Sequence, residues 1–248
     1  AWIDYNNDGV QQLNEFELAA FPDQARFIRI MIPSNEFIKA NYITFNYSVG
    51  LNPRAVWNKD THSRFQKFLA RFNYSTSLQT NRKSVSTGDF EFDPFKYNVN
   101  DTALVTLNTI MAHTISFNRF SPVWGLDISN LRNNGKSLLT YGYESRALRD
   151  WSGKMRLNFS RSLSMSMNGR TASNSLSTPN VQFDNRNYDI SINSIEPQLS
   201  FIKGTAFRIS MGYKLEDKQN KPQWGGERST SNSINLETKY NVLQNSSI

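Results

Sequence analysis

The sequence predicts an all-β fold, an antiparallel transmembrane β-barrel or a segment of a larger one, on three observations. Apolar and polar residues alternate with period two along most of the chain. No apolar run approaches the roughly 20 residues of a membrane-spanning helix. The links between alternating runs differ in length, some tight and some long and polar, as the periplasmic turns and extracellular loops of an outer-membrane barrel do. Trp151 to Met167 shows the pattern best: Trp151, Met155, Leu157, Phe159, Leu163, Met165 and Met167 share one parity, and Ser, Lys, Arg and Asn fill the other. Successive side chains of a strand point to opposite faces, so this stretch has one apolar and one polar face.

Composition bounds the possibilities. In 248 residues, 38% are hydrophobic, 13% are aromatic and none is cysteine, which excludes disulfides, thiol nucleophiles and thiolate metal sites. Mean hydropathy is negative. Barrel strands give that result even in a membrane, because their lipid-facing residues occupy only alternate positions. The formal charge of +7 comes from scattered rather than clustered Lys and Arg. It reads first as a solvated face, with phosphate-bearing partners such as lipopolysaccharide or nucleic acid as the alternative; nucleic acid is not expected as a partner. Ala1 and Ile248 read as the ends of a trimmed piece of a longer chain.

The chain begins with a different kind of signal. Residues 4–15, Asp-Tyr-Asn-Asn-Asp-Gly-Val-Gln-Gln-Leu-Asn-Glu, match the calcium-loop pattern D-x-[DN]-x-[DN]-G-x5-E without a gap. Asp4, Asn6 and Asp8 would give oxygens at loop positions 1, 3 and 5. Gly9 would make the sharp turn and Val10 would offer its carbonyl. Gln12 would act directly or through water, and Glu15 would bind in bidentate fashion. Leu13, Phe16, Leu18 and Phe21 then predict a short helix that Pro22 stops. Residues 1–25 therefore form a calcium loop plus helix, and residues 26–248 form the strands. Such a single loop is similar to the EF-hand-like and dockerin-type loops of secreted bacterial proteins.

From Pro22 onward the alternation predicts on the order of 10 to 12 strands. Runs fall at 43–51, 68–79, 104–109, 111–118, 123–130, 137–146, 151–167, 188–195, 197–203, 206–215 and 232–243. Tight links are expected at Arg119–Pro122, Ser160–Ser162 and Lys203–Thr205, and long ones at Thr80–Asn100, Arg170–Asn185 and Glu216–Ser231. Leu131–Lys136 and Ala147–Asp150 are expected to be links of intermediate length. Arg161 interrupts the apolar parity. One strand over 151–167 would reach about 58 Å, far more than a tilted membrane strand needs. A charge at mid-bilayer would cost roughly 2–4 kcal/mol. Arg161 is therefore expected at an aqueous hairpin tip.

Catalytic patterns are sparse, and no enzyme activity is expected. His62 and His113 belong to no metal or triad motif. Asn134-Gly135-Lys136-Ser137 resembles the end of a P-loop but lacks the first glycine, so it reads as a turn. Asp89, Glu91 and Asp93 alternate with Phe90, Phe92 and Phe95, which fits an edge strand as readily as a glycan-active carboxylate pair. The N-x-[ST] sequons at Asn46, Asn73, Asn100, Asn158 and Asn245 are those an Asn- and Ser-rich chain produces by chance. Asp101-Thr102-Ala103 resembles an O-glycosylation motif of Bacteroidota. Trp57, Trp124, Trp151 and Trp224 are placed where an aromatic girdle would need them.

The calcium loop, with Phe21-Pro22-Asp23-Gln24-Ala25, Asn52-Pro53 after a strand, and the later Ser137-Leu138-Leu139 and Tyr143-Glu144-Ser145-Arg146, resembles large cell-surface and outer-membrane β-barrel proteins of Bacteroidota. The resemblance implies an outer-membrane, Gram-negative location and a barrel or barrel segment contacting outer-membrane lipid. Lipopolysaccharide and other envelope proteins of a larger complex are the partners it suggests. One departure is the absence of a terminal aromatic residue. The expected role is transport, surface binding or assembly with a structural calcium ion. A secreted soluble β-sandwich or β-solenoid that binds glycans or acts as an adhesin is the alternative.

Overall fold

A computed structural model describes residues 1–12, 15–17, 19, 21–24, 26, 27, 37–57, 63–86, 103–139, 142–179 and 181–241. Two compact units emerge, Ala1–Ile38 and Lys39–Ile248.

The second unit is one antiparallel sheet of nine strands in sequence order: β1 (Ala40–Leu51), β2 (Phe72–Val85), β3 (Leu104–Phe117), β4 (Trp124–Leu139), β5 (Gly142–Asn158), β6 (Leu163–Ser177), β7 (Tyr188–Lys203), β8 (Phe207–Asn220) and β9 (Arg228–Tyr240). Every strand pairs with its neighbours in sequence, and one register shift occurs, between Lys83 and Ser84. The sheet is not closed, and β1 and β9 are its edges.

The strands are fewer and longer than the alternation suggests. Residues 104–109 and 111–118 merge into β3, and 188–195 and 197–203 merge into β7. Leu131–Lys136 and Ala147–Asp150 are not links. They face each other across β4 and β5, with Leu131 opposite Asp150 and Asn134 opposite Ala147. In those stretches polar residues occupy both parities, so the alternation fades while the backbone ladder continues.

The hairpin at Arg161 is present. β5 ends at Asn158 and β6 begins at Leu163, with the Ser160 hydroxyl accepting hydrogen bonds from the Ser162 and Leu163 amides (3.1 and 3.0 Å). Strand length is not what forces the turn, since β5 alone has 17 residues. Ser160 supplies the local cause, because its hydroxyl offers the backbone an alternative to the ladder.

Link lengths are sorted only in part. The links 118–123, 159–162 and 204–206 lie at one end of the sheet, but so does the long link 52–71. Residues 140 and 141 alone join β4 to β5 at the other end, beside the links 86–103, 178–187 and 221–227. The 52–71 link holds a helix the sequence reading missed, α1 (Arg64–Leu69). A Ser63/Gln66 capping box starts it. Below, the end bearing the 159–162 hairpin is the turn end and the other is the loop end.

In the first unit, the described part of the expected helix over Leu13–Phe21 is not α-helical, and only Glu15 stands in a 3-10 turn there. Phe16 pairs with Trp2 in a β-bridge, the Ile3 amide donates to the Glu15 carbonyl and the Glu17 amide to the Ala1 carbonyl. Those bonds engage groups that a helix would use along its own axis. Pro22 opens a 3-10 turn, Pro22–Gln24, instead of ending a helix.

Candidate metal loop and membrane face

Asp4, Asp8 and Glu15 each bring a carboxylate oxygen within 4.8 Å of the others. Local chemistry shapes the loop. The Gly9 amide donates to Asp4 Oδ2 (2.8 Å) and the Val10 amide to Asp8 Oδ1 (2.7 Å). Gly9 sits at φ +70°, a left-handed conformation that favours glycine. Glu15 is 1% exposed, and its Oε2 accepts hydrogen bonds from Trp2 Nε1 (3.0 Å) and the Gln12 amide (3.3 Å). Burying a carboxylate requires such partners. Asn6 Nδ2 and Gln12 Nε2 both donate to Asp8 Oδ2 (2.9 and 2.7 Å). The three carboxylates gather as the motif requires, whereas the Asn6 and Gln12 amides present nitrogen towards Asp8. An amide flip would turn their oxygens inward. Among the described residues, Val10 is exposed and its amide is tied to Asp8. Next to the loop, the Tyr5 hydroxyl donates to the Glu17 carboxylate, which raises the phenol above its usual pKa.

The second candidate is the face of the sheet. Residues opposite one another across a ladder share a face, so the register sorts every strand residue onto one of two sides. One side, from β4 to β9, carries an apolar band at the turn end. It comprises Trp124, Leu126 and Ile128 of β4; Met155 and Leu157 of β5; Leu163, Met165 and Met167 of β6; Ile195, Pro197, Leu199 and Phe201 of β7; Ile209, Met211, Tyr213 and Leu215 of β8; and Ile234 and Leu236 of β9. No charged side chain interrupts these stretches. Ile209 to Leu215 spans about 20 Å of strand, close to the roughly 25 Å lipid band of outer-membrane barrels. The band is exposed: Ile234 is 70%, Leu236 63% and Met211 55% accessible.

Above the band the same face turns polar within one level. Asn130, Arg132, Asn134 and Lys136 follow on β4; Arg149 and Ala147 on β5; Thr171 and Ser173 on β6; Asn193 and Ser191 on β7; and Asp217 and Gln219 on β8. The opposite face runs the other way. At the turn end it is polar, with Asp127, Lys154, Arg170, Glu196 and Lys214 among serines and asparagines. Towards the loop end it gains Ile110, Leu131, Leu148, Ala172, Leu176, Ile190 and Ile192. Three concavities open on this second face. The largest of them, about 450 Å³, is lined by Asp127, Lys154, Arg170, Glu196 and Lys214. Charged side chains of the second face thus line this concavity.

Aromatic residues mark both limits of the band. At the turn end, Phe68 of α1, Phe72, Phe117 and Trp124 form a chain of ring contacts with centroids 4.6–5.8 Å apart. Trp151 stands one level above the band on β5, inside the strand rather than at its end. Trp57 follows a 3-10 turn at the turn end, and Trp224 lies in the 221–227 link, beyond the band's level. His113 faces Tyr74, whose hydroxyl is 2.9 Å from Nδ1, consistent with a structural histidine. Asn134-Gly135-Lys136-Ser137 is strand, not turn, with Lys136 over the Tyr143 ring at 5.0 Å. His62, Asp89, Glu91, Asp93, Phe90, Phe92, Phe95 and Asp101-Thr102 lie outside the described residues.

Two loop-end residues went unnoticed in the sequence. Asn187 Oδ1 accepts from the Thr178 amide (2.7 Å), while its Nδ2 donates to the Thr178 carbonyl and to Asp184. Asn220 accepts from the Asp189 amide and donates to Glu227 and the Trp224 carbonyl. Both are nearly buried and clamp the 178–187 and 221–227 links. Single asparagines in so Asn-rich a chain carry no signal of this role. No protein-family model, curated protein or solved structure matches the chain.

Proposed function

We propose that this chain contributes a wall of an outer-membrane β-barrel in a Gram-negative envelope, with a calcium-braced segment at its N-terminal side. The apolar band would meet lipid, the charged concave face would line the lumen, and the loop ends would project beyond the bilayer. Transport, surface binding or assembly with other envelope proteins is the class of role this architecture serves. The observation that carries the reading is the change of polarity along a single face. A water-facing sheet has no cause to switch from uncharged apolar to polar at nearly the same level on five neighbouring strands, whereas a sheet leaving lipid for water does. Large apolar side chains exposed in a contiguous band are a liability in water and a requirement in a bilayer.

An antiparallel meander of nine strands places β1 and β9 parallel to each other. Ordinary closure of such a barrel takes an even number of strands. Further strand pairing between the two edges is therefore part of the proposal, since unpaired edge groups are not tolerated in lipid. The unclosed sheet favours the second reading, a secreted soluble β protein with glycan-binding or adhesin character. Extraction separates the two. The barrel reading expects a protein that leaves the membrane fraction only with detergent and migrates faster on a gel unheated than boiled. A protein that is monomeric in buffer without detergent contradicts it.

Calcium would be held by Asp4, Asp8 and Glu15, with Asn6, Gln12 and the Val10 carbonyl completing an oxygen shell. The gapless motif and the gathering of its three carboxylates support this. Calcium at a hundred times its Kd should stabilise the folded unit by about 2.7 kcal/mol. Asp4→Ala with Glu15→Ala should abolish the corresponding rise in melting temperature. An unmutated protein whose melting is indifferent to calcium would rule the site out.

A further inference from the structure

One level beyond Trp151, the outward face of β4 and β5 carries two arginines directly opposite one another, Arg132 and Arg149. Opposed residues of this kind hold their Cβ atoms about 4.5–5.5 Å apart, where like charges destabilise a sheet. Both side chains are exposed. Three other strand arginines have carboxylate partners: Arg146 with Glu144, Arg170 with Asp150, and Arg228 with Asp217. Arg132 and Arg149 make no ion pair among the described residues. Asp189, the carboxylate whose charge Arg149 feels, is already engaged by Lys221 and Ser173.

An opposed pair of guanidinium groups without an ion pair of its own among the described residues suits an external anion. We propose that Arg132 and Arg149 clamp a phosphate of an anionic lipid headgroup in the leaflet at the loop end. Position selects the lipid source. Trp151 is 51% exposed at the upper limit of the apolar band, the level at which aromatic residues sit in the bilayer interface. The arginines stand about 7 Å further along their strands, in the headgroup layer. Guanidinium groups match phosphate oxygens through paired, charge-assisted hydrogen bonds. A phosphorylated glycolipid would offer such oxygens at that depth. This inference rests on the membrane reading, and its test keeps the two apart.

The unmutated protein, Arg132→Gln with Arg149→Gln, and Lys154→Gln as a charge control on the concave face would be reconstituted into phosphatidylcholine nanodiscs. One set would carry added diphosphoryl lipid A and another its dephosphorylated counterpart. A third, in phosphatidylcholine alone, would receive inorganic phosphate in the buffer. Retained lipid would be counted by native mass spectrometry and melting followed in parallel. The unmutated protein should retain the phosphorylated lipid selectively and melt higher with it. The double variant should bind it about 25-fold more weakly, roughly fivefold per arginine. Without the lipid the double variant should melt higher than the unmutated protein, because the opposed charges are gone. Lys154→Gln should behave as unmutated. Equal retention of both lipids, or a double variant that binds as well as the unmutated protein, overturns the clamp. Equal protection by inorganic phosphate overturns the lipid assignment. Failure of every protein to enter any nanodisc overturns the membrane reading itself.

Discussion

The turn-end and loop-end halves of the sheet share strands and hydrogen-bond ladders but have opposite outsides. On β8, Ile209, Met211, Tyr213 and Leu215 share a face with Asp217 and Gln219, and no backbone feature separates the two groups. The opposite face gains apolar residues as the outward face loses them. Secondary structure alone therefore does not decide what a strand residue touches. The face and the level at which it stands do, and the polarity of each face changes partway along the strands. The turn end carries its apolar residues on the outward face and closes with three short turns beside the long link 52–71. The loop end puts apolar residues such as Ala172 and Leu176 inward and holds its links with buried asparagines.

This contrast can be broken most sharply with matched substitutions on one strand. Met211→Arg, in the band, should cost about 2–4 kcal/mol of folding free energy in lipid vesicles. Gln219→Arg, on the same face of the same strand beyond the band, should change it by less than about 0.5 kcal/mol. Urea titrations in vesicles would report both, and equal costs would remove the distinction between halves.

An effect of similar size is expected where the faces reverse. Leu176, 6% exposed on the concave side, should cost about 2–4 kcal/mol on truncation to alanine whether the protein is in detergent or in lipid. Leu199→Ala, 48% exposed in the band, should destabilise the protein in lipid by less than Leu176→Ala does. Comparing denaturation midpoints of the two variants sharpens the assignment of inside and outside.

The links provide the mildest test. Asn187→Ala leaves the Thr178 amide without its partner and should cost about 1–3 kcal/mol. Ser160→Ala removes two hydrogen bonds at an exposed turn and should cost about 1 kcal/mol or less. Thermal melts that rank Ser160→Ala above Asn187→Ala would mean that the tight turn, not the clamped link, is the more demanding closure.

The all-β class was legible because period-two alternation survives wherever one face of a strand is apolar and the other polar. That is why 151–167 and 206–215 could be read from residues alone. It failed over Leu131–Lys136 and Ala147–Asp150, where the outward face is already polar and both parities look alike. The same loss of contrast split β3 and β7 into two runs each. Arg161 was placed correctly at a turn, but strand reach was the wrong reason, since β5 alone has 17 residues. The carboxylates of the metal loop were legible because a fixed spacing encodes them. The helix expected after them was not formed at its described positions, since pairing with Trp2 and its neighbours occupies the backbone there. The Arg132–Arg149 pair was invisible in sequence, because only the register brings residues 17 positions apart face to face.

The absence of cysteine makes the central claim directly measurable, since any single cysteine is a unique label. Spin labels placed in turn at Ile209, Met211, Tyr213, Leu215, Asp217 and Gln219 would be read in reconstituted vesicles for collision with oxygen and with a water-soluble nickel complex. Oxygen should dominate from Ile209 to Leu215, with an abrupt change to nickel at Asp217 and Gln219. Uniform nickel access along all six positions would contradict a sheet that passes from lipid into water.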